Sequence, residues 1–292
     1  MEEVRVIPLK DVSQYKEVVE ITMEAWGLSD YYETVPPHLL KAAADNGGVV
    51  LAAYRGSEMA GFVFGFLGME EGRLYHYSHQ LAVRTKYRGR GVALKLKLAQ
   101  RDYVLKQGLD LIMWTYDPHM GRNARFNFAK LGVIARRFYE NYYGILTDEL
   151  NRGMPTDRFK VEWWIKSARV LNRIRGLTKA PSYDEVKDAA REVVKTRLNN
   201  AGIRSVARVN LRAEDELLLV EVPGDLEDLK SKSLRAAIDW KLRLRPVFKH
   251  YLSRGYVVVE FITLREGGER RNFYLLWRTP LTRVLRDERL WK

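Results

Sequence analysis

From His79 to Gln100 the chain reads HQLAVRTKYRGRGVALKLKLAQ: an apolar strand-like stretch, a turn rich in Arg and Gly, then a long helical run. Glycine at 89 and at 91 removes the side chains that would hold a bulky anion away from the main chain. Successive N–H groups from Arg88 through Val92 to Ala93 can then converge on phosphate oxygens, with the helix dipole, Arg88 and Arg90 adding positive potential. The turn is an anion cradle, and a pyrophosphate is the group expected in it. Two familiar phosphate loops fit less well. A P-loop needs Gly-Lys-Ser/Thr after four spacer residues, and the dinucleotide fingerprint needs a third glycine where this chain has Leu94.

The elements that must position this turn are legible upstream and downstream of it. VRVIPL (Val4–Leu9) alternates like a strand, and Asp11 caps a helix to Trp26 whose apolar residues Val12, Tyr15, Val18, Val19, Met23 and Trp26 recur at helical spacing. Pro36-Pro37 opens a second, short helix ended by Gly47-Gly48. VVLAAYR and MAGFVFGFLG, joined by GSE, predict a hairpin, and RLYHYSHQLAVR predicts the strand that feeds the turn. After the turn come a helix over about Gly91–Gln107, a strand Leu109–Tyr116, a helix around Arg122–Leu131 stopped by Gly132, and strands near Val133–Tyr139 and Arg158–Ile165. On the last of these Phe159, Val161, Trp163 and Ile165 share a face, so the Trp163-Trp164 pair reads as core, and Asp117-Pro118 reads as a turn signal.

Beyond Ser167 the pattern changes. Ser167–Thr178 is basic, helical or linking, and Ala180–Gly202 reads as a capped amphipathic helix. ELLLVEVP, a long helical run from Leu226 to Gly255, YVVVEFITLRE and RNFYLLWR complete a smaller α+β unit, the last two forming a hairpin through Gly267-Gly268. The expected division is 1–166 and 167–292, with a linker helix over about 167–200.

Composition bounds the function. With no cysteine the 292-residue chain has no disulfide, thiolate metal site or Cys nucleophile. Five histidines, at 38, 76, 79, 119 and 250, show no ligand spacing, so no metal is expected. No apolar run suits a membrane span and the N-terminus lacks a signal-peptide pattern, which leads to the expectation of a cytoplasmic protein. Thirty per cent charged residues with little Gln lean towards a thermophilic source. The net charge of +13 sits mostly in the C-terminal part, a surplus that attracts polyanions in general, whether nucleic acid, an acidic membrane surface or a phosphorylated cofactor.

Arg88-x-x-Gly91-x-Ala93, after LAV on a strand and opening a helix, resembles the Arg/Gln-x-x-Gly-x-Gly/Ala motif of the GNAT superfamily of acyl-CoA-dependent N-acyltransferases. The element order from Val4 to Ile165 and the Arg122–Gly132 helix are also similar to that family, in a subgroup carrying a C-terminal extension. The resemblance implies an α+β fold with a mixed, mostly antiparallel central sheet flanked by helices. It implies acetyl-CoA or another acyl-CoA as co-substrate, its pyrophosphate on the amides of Arg88, Gly89, Arg90, Gly91, Val92 and Ala93, and its pantetheine along Leu81, Ala82 and Val83 as an added strand. Asn123 would supply a further cofactor contact, and a primary amine, on an amino acid, protein or peptide, would be the acceptor.

Such an amine, with a pKa near 10.4 if Lys-like, is mostly protonated at neutral pH, so a base is useful. A neutral imidazole serves, and His79, nine residues before Arg88, matches a strand histidine used as base within the family. His76 is the second choice. Where many members carry a Tyr to protonate the leaving thiolate this chain has Phe128, so Tyr116, Tyr139, Tyr142 and Tyr143 stand as substitutes. Two other readings stay open: a nucleic-acid-associated factor using the basic helix Lys241–Arg254, and a CoA-binding module without catalysis. The C-terminal unit is expected to close the acceptor side or to build a homodimer.

Overall fold

The computed structural model describes residues 3–291, which divide into two compact units. The first holds the chain to Trp114 and a short return at Thr147–Arg152. The second holds Thr115–Leu146 and everything from Gly153 onward. The division expected at 166/167 therefore differs from the packing: segments 115–146 and 153–166 pack with the C-terminal part. Among the described residues no helix is long and apolar enough to cross a membrane.

In the first unit β1 (Val4–Pro8) leads to α1 (Val12–Trp26). Asp11 accepts from the Ser13 amide while Gln14 reaches back to the Asp11 amide, a reciprocal cap that satisfies donors the helix start leaves orphaned. Gly27 ends the helix in the left-handed region. Then follow α2 (Pro37–Asp45), β2 (Val49–Arg55), β3 (Glu58–Glu70), β4 (Arg73–Val83), α3 (Val92–Lys106) and β5, which runs from Leu111 to Tyr116 and leaves the unit after Trp114. Strands β1 to β4 are antiparallel neighbours, and β4 runs parallel to β5.

Both faces of this sheet are buried. Tyr15, Val18, Ile21 and Leu40 of α1 and α2 meet Val50, Phe62, Phe64 and Ala82 on one face, while Val92 and Leu96 of α3 meet Leu51 and Val63 on the other. Each of the Val, Leu, Ile and Phe side chains among them contributes roughly 1.5–3 kcal/mol of transfer free energy.

The second unit continues with α4 (Gly121–Ala124), which runs on as a π-helical segment Arg125–Leu131, then β6 (Ile134–Tyr139), β7 (Arg158–Trp164) and α5 (Ala168–Ile174). After these come β8 (Arg191–Glu192), β9 (Val194–Leu198), β10 (Arg204–Val209), β11 (Leu217–Val222), α6 (Leu226–Lys232), α7 (Leu234–Ser253), β12 (Tyr256–Glu266), β13 (Glu269–Arg278) and α8 (Leu281–Leu285). The sheet order is β7-β6-β12-β13-β11-β8, with β9 and β10 a separate hairpin. Leu219, Val257, Val259, Phe273, Leu275 and Trp277 fill one of its cores.

Two expectations change here. Ala180–Gly202 is not a helix: Val193 and Val194 are buried, the Val193 amide bonds Leu219 O at 3.0 Å, and β8 joins β11 in parallel, so pairing overrides local helical preference. The helical run from Leu226 breaks at Ser233, whose hydroxyl accepts from the Ala236 amide and starts α7 afresh. The Gly267-Gly268 turn, with φ of +57° and +80°, joins β12 and β13 as expected.

Candidate active site

The turn at Arg88–Gly91 takes the glycine-dependent conformation that the sequence indicates. Gly89 and Gly91 have φ of +75° and +81°, a region that costs a residue with a Cβ about 1–2 kcal/mol. Gly91 is the N-cap of α3 and supplies no side-chain acceptor, so the amides of the first turn keep their donors uncapped. A Cβ built at either glycine meets nothing within 4 Å, and Arg88 to Gly91 are exposed. Arg88 turns back to donate to Val83 O at 3.2 Å, tying the turn to the end of β4.

Strand β4 presents a free side. Its ladder with β3 continues to Val83, but its pairing with β5 consists of His76 with Ile112 and Tyr77 with Met113. From Ser78 to Val83, Leu81, Ala82 and Val83 included, the β5 side of β4 has no ladder partner among the described residues. An extended ligand can take up those N–H and C=O groups as a further strand would.

His79 occupies a β-bulge. Phe64 pairs with Gln80 and Gly65 with Ser78, so His79 is the extra residue. The one-residue slip lets His76 and Ser78 share the α3 face with Leu81 and Val83, although their positions differ in parity. His79 lies on the opposite face, its ring 5.9 Å from Phe64, 5.8 Å from Phe66 and 6.1 Å from Tyr77 between centroids. The residue keeps an exposed edge, and the partial burial among those rings lowers its pKa below 6.5, so the imidazole is neutral at pH 7.

His76 is differently placed. It is fully buried against α3, with Nε2 3.2 Å from Gln100 Nε2, and burial, then the nearby Lys97 charge, push its pKa down to about 3. Lys97 is itself 2% exposed, donates to Ser78 Oγ at 3.0 Å and Gln100 Oε1 at 2.9 Å, and lies 3.7 Å from the centre of the Trp114 ring. Burial holds its pKa well below the usual amine range. The polar pair at i and i+3 inside an apolar helix face, Lys97 and Gln100, is the only sequence signal of this cluster, and strand and turn patterns do not reveal it.

In the second unit Asn123 is exposed on α4, and Phe128 is buried with its ring edge-to-face with Tyr274 at 5.6 Å. Of the tyrosines considered as acids, Tyr116 is buried and shares a 2.8 Å hydrogen bond with Tyr274, which also donates to Pro118 O at 2.6 Å. Burial raises both phenols well above 10, so both keep their protons. Tyr143 hydrogen-bonds Thr115 at 2.9 Å, and Tyr142 packs against Tyr139 and Tyr143.

Asp117-Pro118 is a turn, as expected, and it also anchors buried charge. Asp117 pairs with Lys241 of α7 and, at 3.0 Å, with His119 Nδ1, and Lys241 donates to Pro155 O at 2.7 Å. Burial would raise the Asp117 carboxyl, but Lys241, His119 and Arg158 outweigh it and hold it below the usual carboxylate range.

The basic helix proposed to meet nucleic acid is largely neutralised. Besides Lys241, Arg243 pairs with Asp239, Arg245 with Asp157 and Glu140, Lys249 with Glu140 and Arg254 with Glu214.

With this geometry in view, residues 15–133 match the model of the acetyltransferase (GNAT) family. That stretch, less than half of the chain, holds β4, the Arg88–Ala93 turn and Asn123. No curated protein matches the chain. Similar solved structures include Arabidopsis thaliana Naa50 in complex with the bisubstrate analogue CoA-Ac-MVNAL, 21% identical, with a TM-score of 0.42 over 55% of this chain and 97% of that one. Ard1 from Thermoplasma volcanium is 15% identical, with a TM-score of 0.42 over 55% of this chain and 95% of that one. An aminoglycoside acetyltransferase from an uncultured soil metagenomic sample, in complex with sisomicin, is 15% identical, with a TM-score of 0.36 over 39% of this chain and 78% of that one.

Proposed function

We propose that this protein transfers an acetyl or other short acyl group from acyl-CoA to a primary amine by direct attack. The observation that carries the reading is the continuity of three features on one stretch of chain: the bulged His79, the free side of β4, and the uncapped, glycine-opened start of α3. The amides from Arg88 to Ala93 would hold the pyrophosphate, and Leu81, Ala82 and Val83 the pantetheine. Asn123 is the further contact that the family resemblance suggests. Bound acyl-CoA supplies the thioester.

His79, neutral at pH 7, accepts the proton of the attacking amine directly or through one water. As the N–C bond forms and the C–S bond breaks, the electron pair leaves on sulfur. A thiol of pKa about 8.5 is a good enough leaving group to depart without an acid, so Phe128 does not bar the reaction. N–H donors on the free side of β4 polarise the thioester carbonyl. The acceptor is an amino acid or a protein or peptide amine, and a screen of amines with acetyl-CoA, read as free thiol released, tests the assignment. Saturable acetyl-CoA binding without turnover on any amine would favour the non-catalytic CoA-binding reading instead.

A further inference from the structure

One face of the β12–β13 hairpin carries two arginines, Arg265 and Arg270, that form no ion pair among the described residues, Arg270 Nε donating to Asn272 Oδ1 at 3.4 Å. Register places Phe261 opposite Tyr274, Thr263 opposite Asn272, and Arg265 opposite Arg270, so these pairs climb one face from a buried end to an exposed one. The lower pairs are satisfied: the two rings lie 5.0 Å apart, and Thr263 donates to Asn272 at 2.9 Å. The top pair sets two like charges directly across the ladder, an unfavourable arrangement by itself.

Helix α4 crosses this same face. A Cβ at Gly121 would fall 2.7 Å from Asn272 Nδ2 and 3.6 Å from the Phe261 ring, so any other residue there would push the Asn272 amide aside. The next residues are Arg122 and Arg125, exposed and three apart on one side of the helix. None of Arg122, Arg125, Arg265 and Arg270 forms an ion pair among the described residues. Burial, and then the charges of Arg265, Arg125 and Arg122 against the pull of Asp225, depress the Arg270 guanidinium. Asp225 itself is spent on capping α6, accepting from the amides of Glu227 and Asp228.

Elsewhere on the hairpin charges are matched: Arg271 pairs with Glu221 at 2.6 Å, and Glu269 pairs with Arg204 of β10 at 2.5 Å. The repulsion is thus confined to one spot. A fold that gathers four guanidinium groups against one occupied carboxylate leaves a place for a ligand of at least two negative charges. Guanidinium forks match phosphate oxygens in particular.

We propose that Arg122, Arg125, Arg265 and Arg270 form a binding site for a compact, multiply charged phosphate group, such as a phosphomonoester or a pyrophosphate. The probe is inorganic pyrophosphate, titrated calorimetrically at constant ionic strength into the full chain carrying Gly91→Glu, so that the turn at 88–91 does not contribute. Saturable one-to-one binding is expected. Arg125→Ala and Arg270→Ala should each weaken it about tenfold, the loss typical of one charge-assisted contact. Arg197→Ala, on the separate β9–β10 hairpin, should leave it unchanged.

Thermal unfolding without ligand guards against a merely structural effect. Removing one member of a repelling cluster should leave the melting temperature equal or higher, whereas a structural arginine would lower it. Absence of saturable binding, binding indifferent to both variants, or binding of a single-stranded oligonucleotide but not pyrophosphate would overturn the proposal. Because the titration needs neither acyl-CoA nor turnover, its failure is separate from failure of the acyltransferase reading.

Discussion

Two substitutions at Gly91 separate the backbone role of this residue from its proposed place under a pyrophosphate. Its φ of +81° belongs to the left-handed region, so both Gly91→Ala and Gly91→Glu should lose about 1–2 kcal/mol of stability. Neither side chain meets a steric obstacle, since a Cβ there has nothing within 4 Å. Their stabilities should therefore be close, with Glu favoured by up to about 1 kcal/mol through its charge at the helix start. Their affinities should part. A carboxylate about 5 Å from two phosphate charges costs about 1.7 kcal/mol at an effective dielectric of ~80 and about 3.3 kcal/mol at ~40.

That range corresponds to acetyl-CoA binding weaker by about 15-fold to 300-fold in Gly91→Glu than in Gly91→Ala. Titration calorimetry of the two variants at one ionic strength, with urea melts alongside, supplies both numbers. Equal affinities in the two variants would refute the placement of pyrophosphate on these amides, whatever their stabilities.

His79→Gln should lower kcat/KM by about 10²-fold to 10⁴-fold and abolish the acid limb of the pH–rate profile, which in the parent should fall as pH drops through a value below 6.5; an unchanged limb would assign the base elsewhere. Stability should also decline below about pH 6.5, because the depressed folded-state pKa values of His76, His79 and His119 let the unfolded chain bind protons first. Melting curves at pH 5 and pH 7 of the parent and of His119→Gln show that histidine's share. Lys241→Met should cost up to about 3–5 kcal/mol by removing the nearest cation of buried Asp117 and leaving it to the more distant Arg158, and Asp117→Asn on top should recover part of it in urea denaturation. Glu260→Gln, which strands Arg169 and Arg173 in the interior, should cost a similar amount by the same assay.

The alternation from Val4 to Ile165 was readable because each element buries one face or both, and local spacing records which. The Asp11 cap, the Arg88–Ala93 turn and the stops at Gly108 and Gly132 are equally local, depending on residues a few positions apart. The segment Ala180–Gly202 misled because its apolar spacing suits a helix, while its conformation is set by β11, distant in sequence. Sequence also showed a charged helix at Lys241–Arg254 without showing where its partners lie.

By itself, then, the sequence determined the order of elements from Val4 to Ile165, the glycine-dependent turn at Arg88–Ala93 and a histidine on the strand before it, since these rest on short-range backbone preference and periodicity. Only the tertiary structure decided how those residues are used. A one-residue bulge at His79 brings His76 and Ser78 to the α3 face with Leu81 and Val83, and non-local pairing ends the ladder of β4 with β5 at Tyr77. Ion pairs spanning more than eighty residues cancel the charge of α7 and leave uncancelled arginines on the β12–β13 hairpin. Register and charge pairing are properties of groups brought together from far along the chain, and no local pattern fixes them.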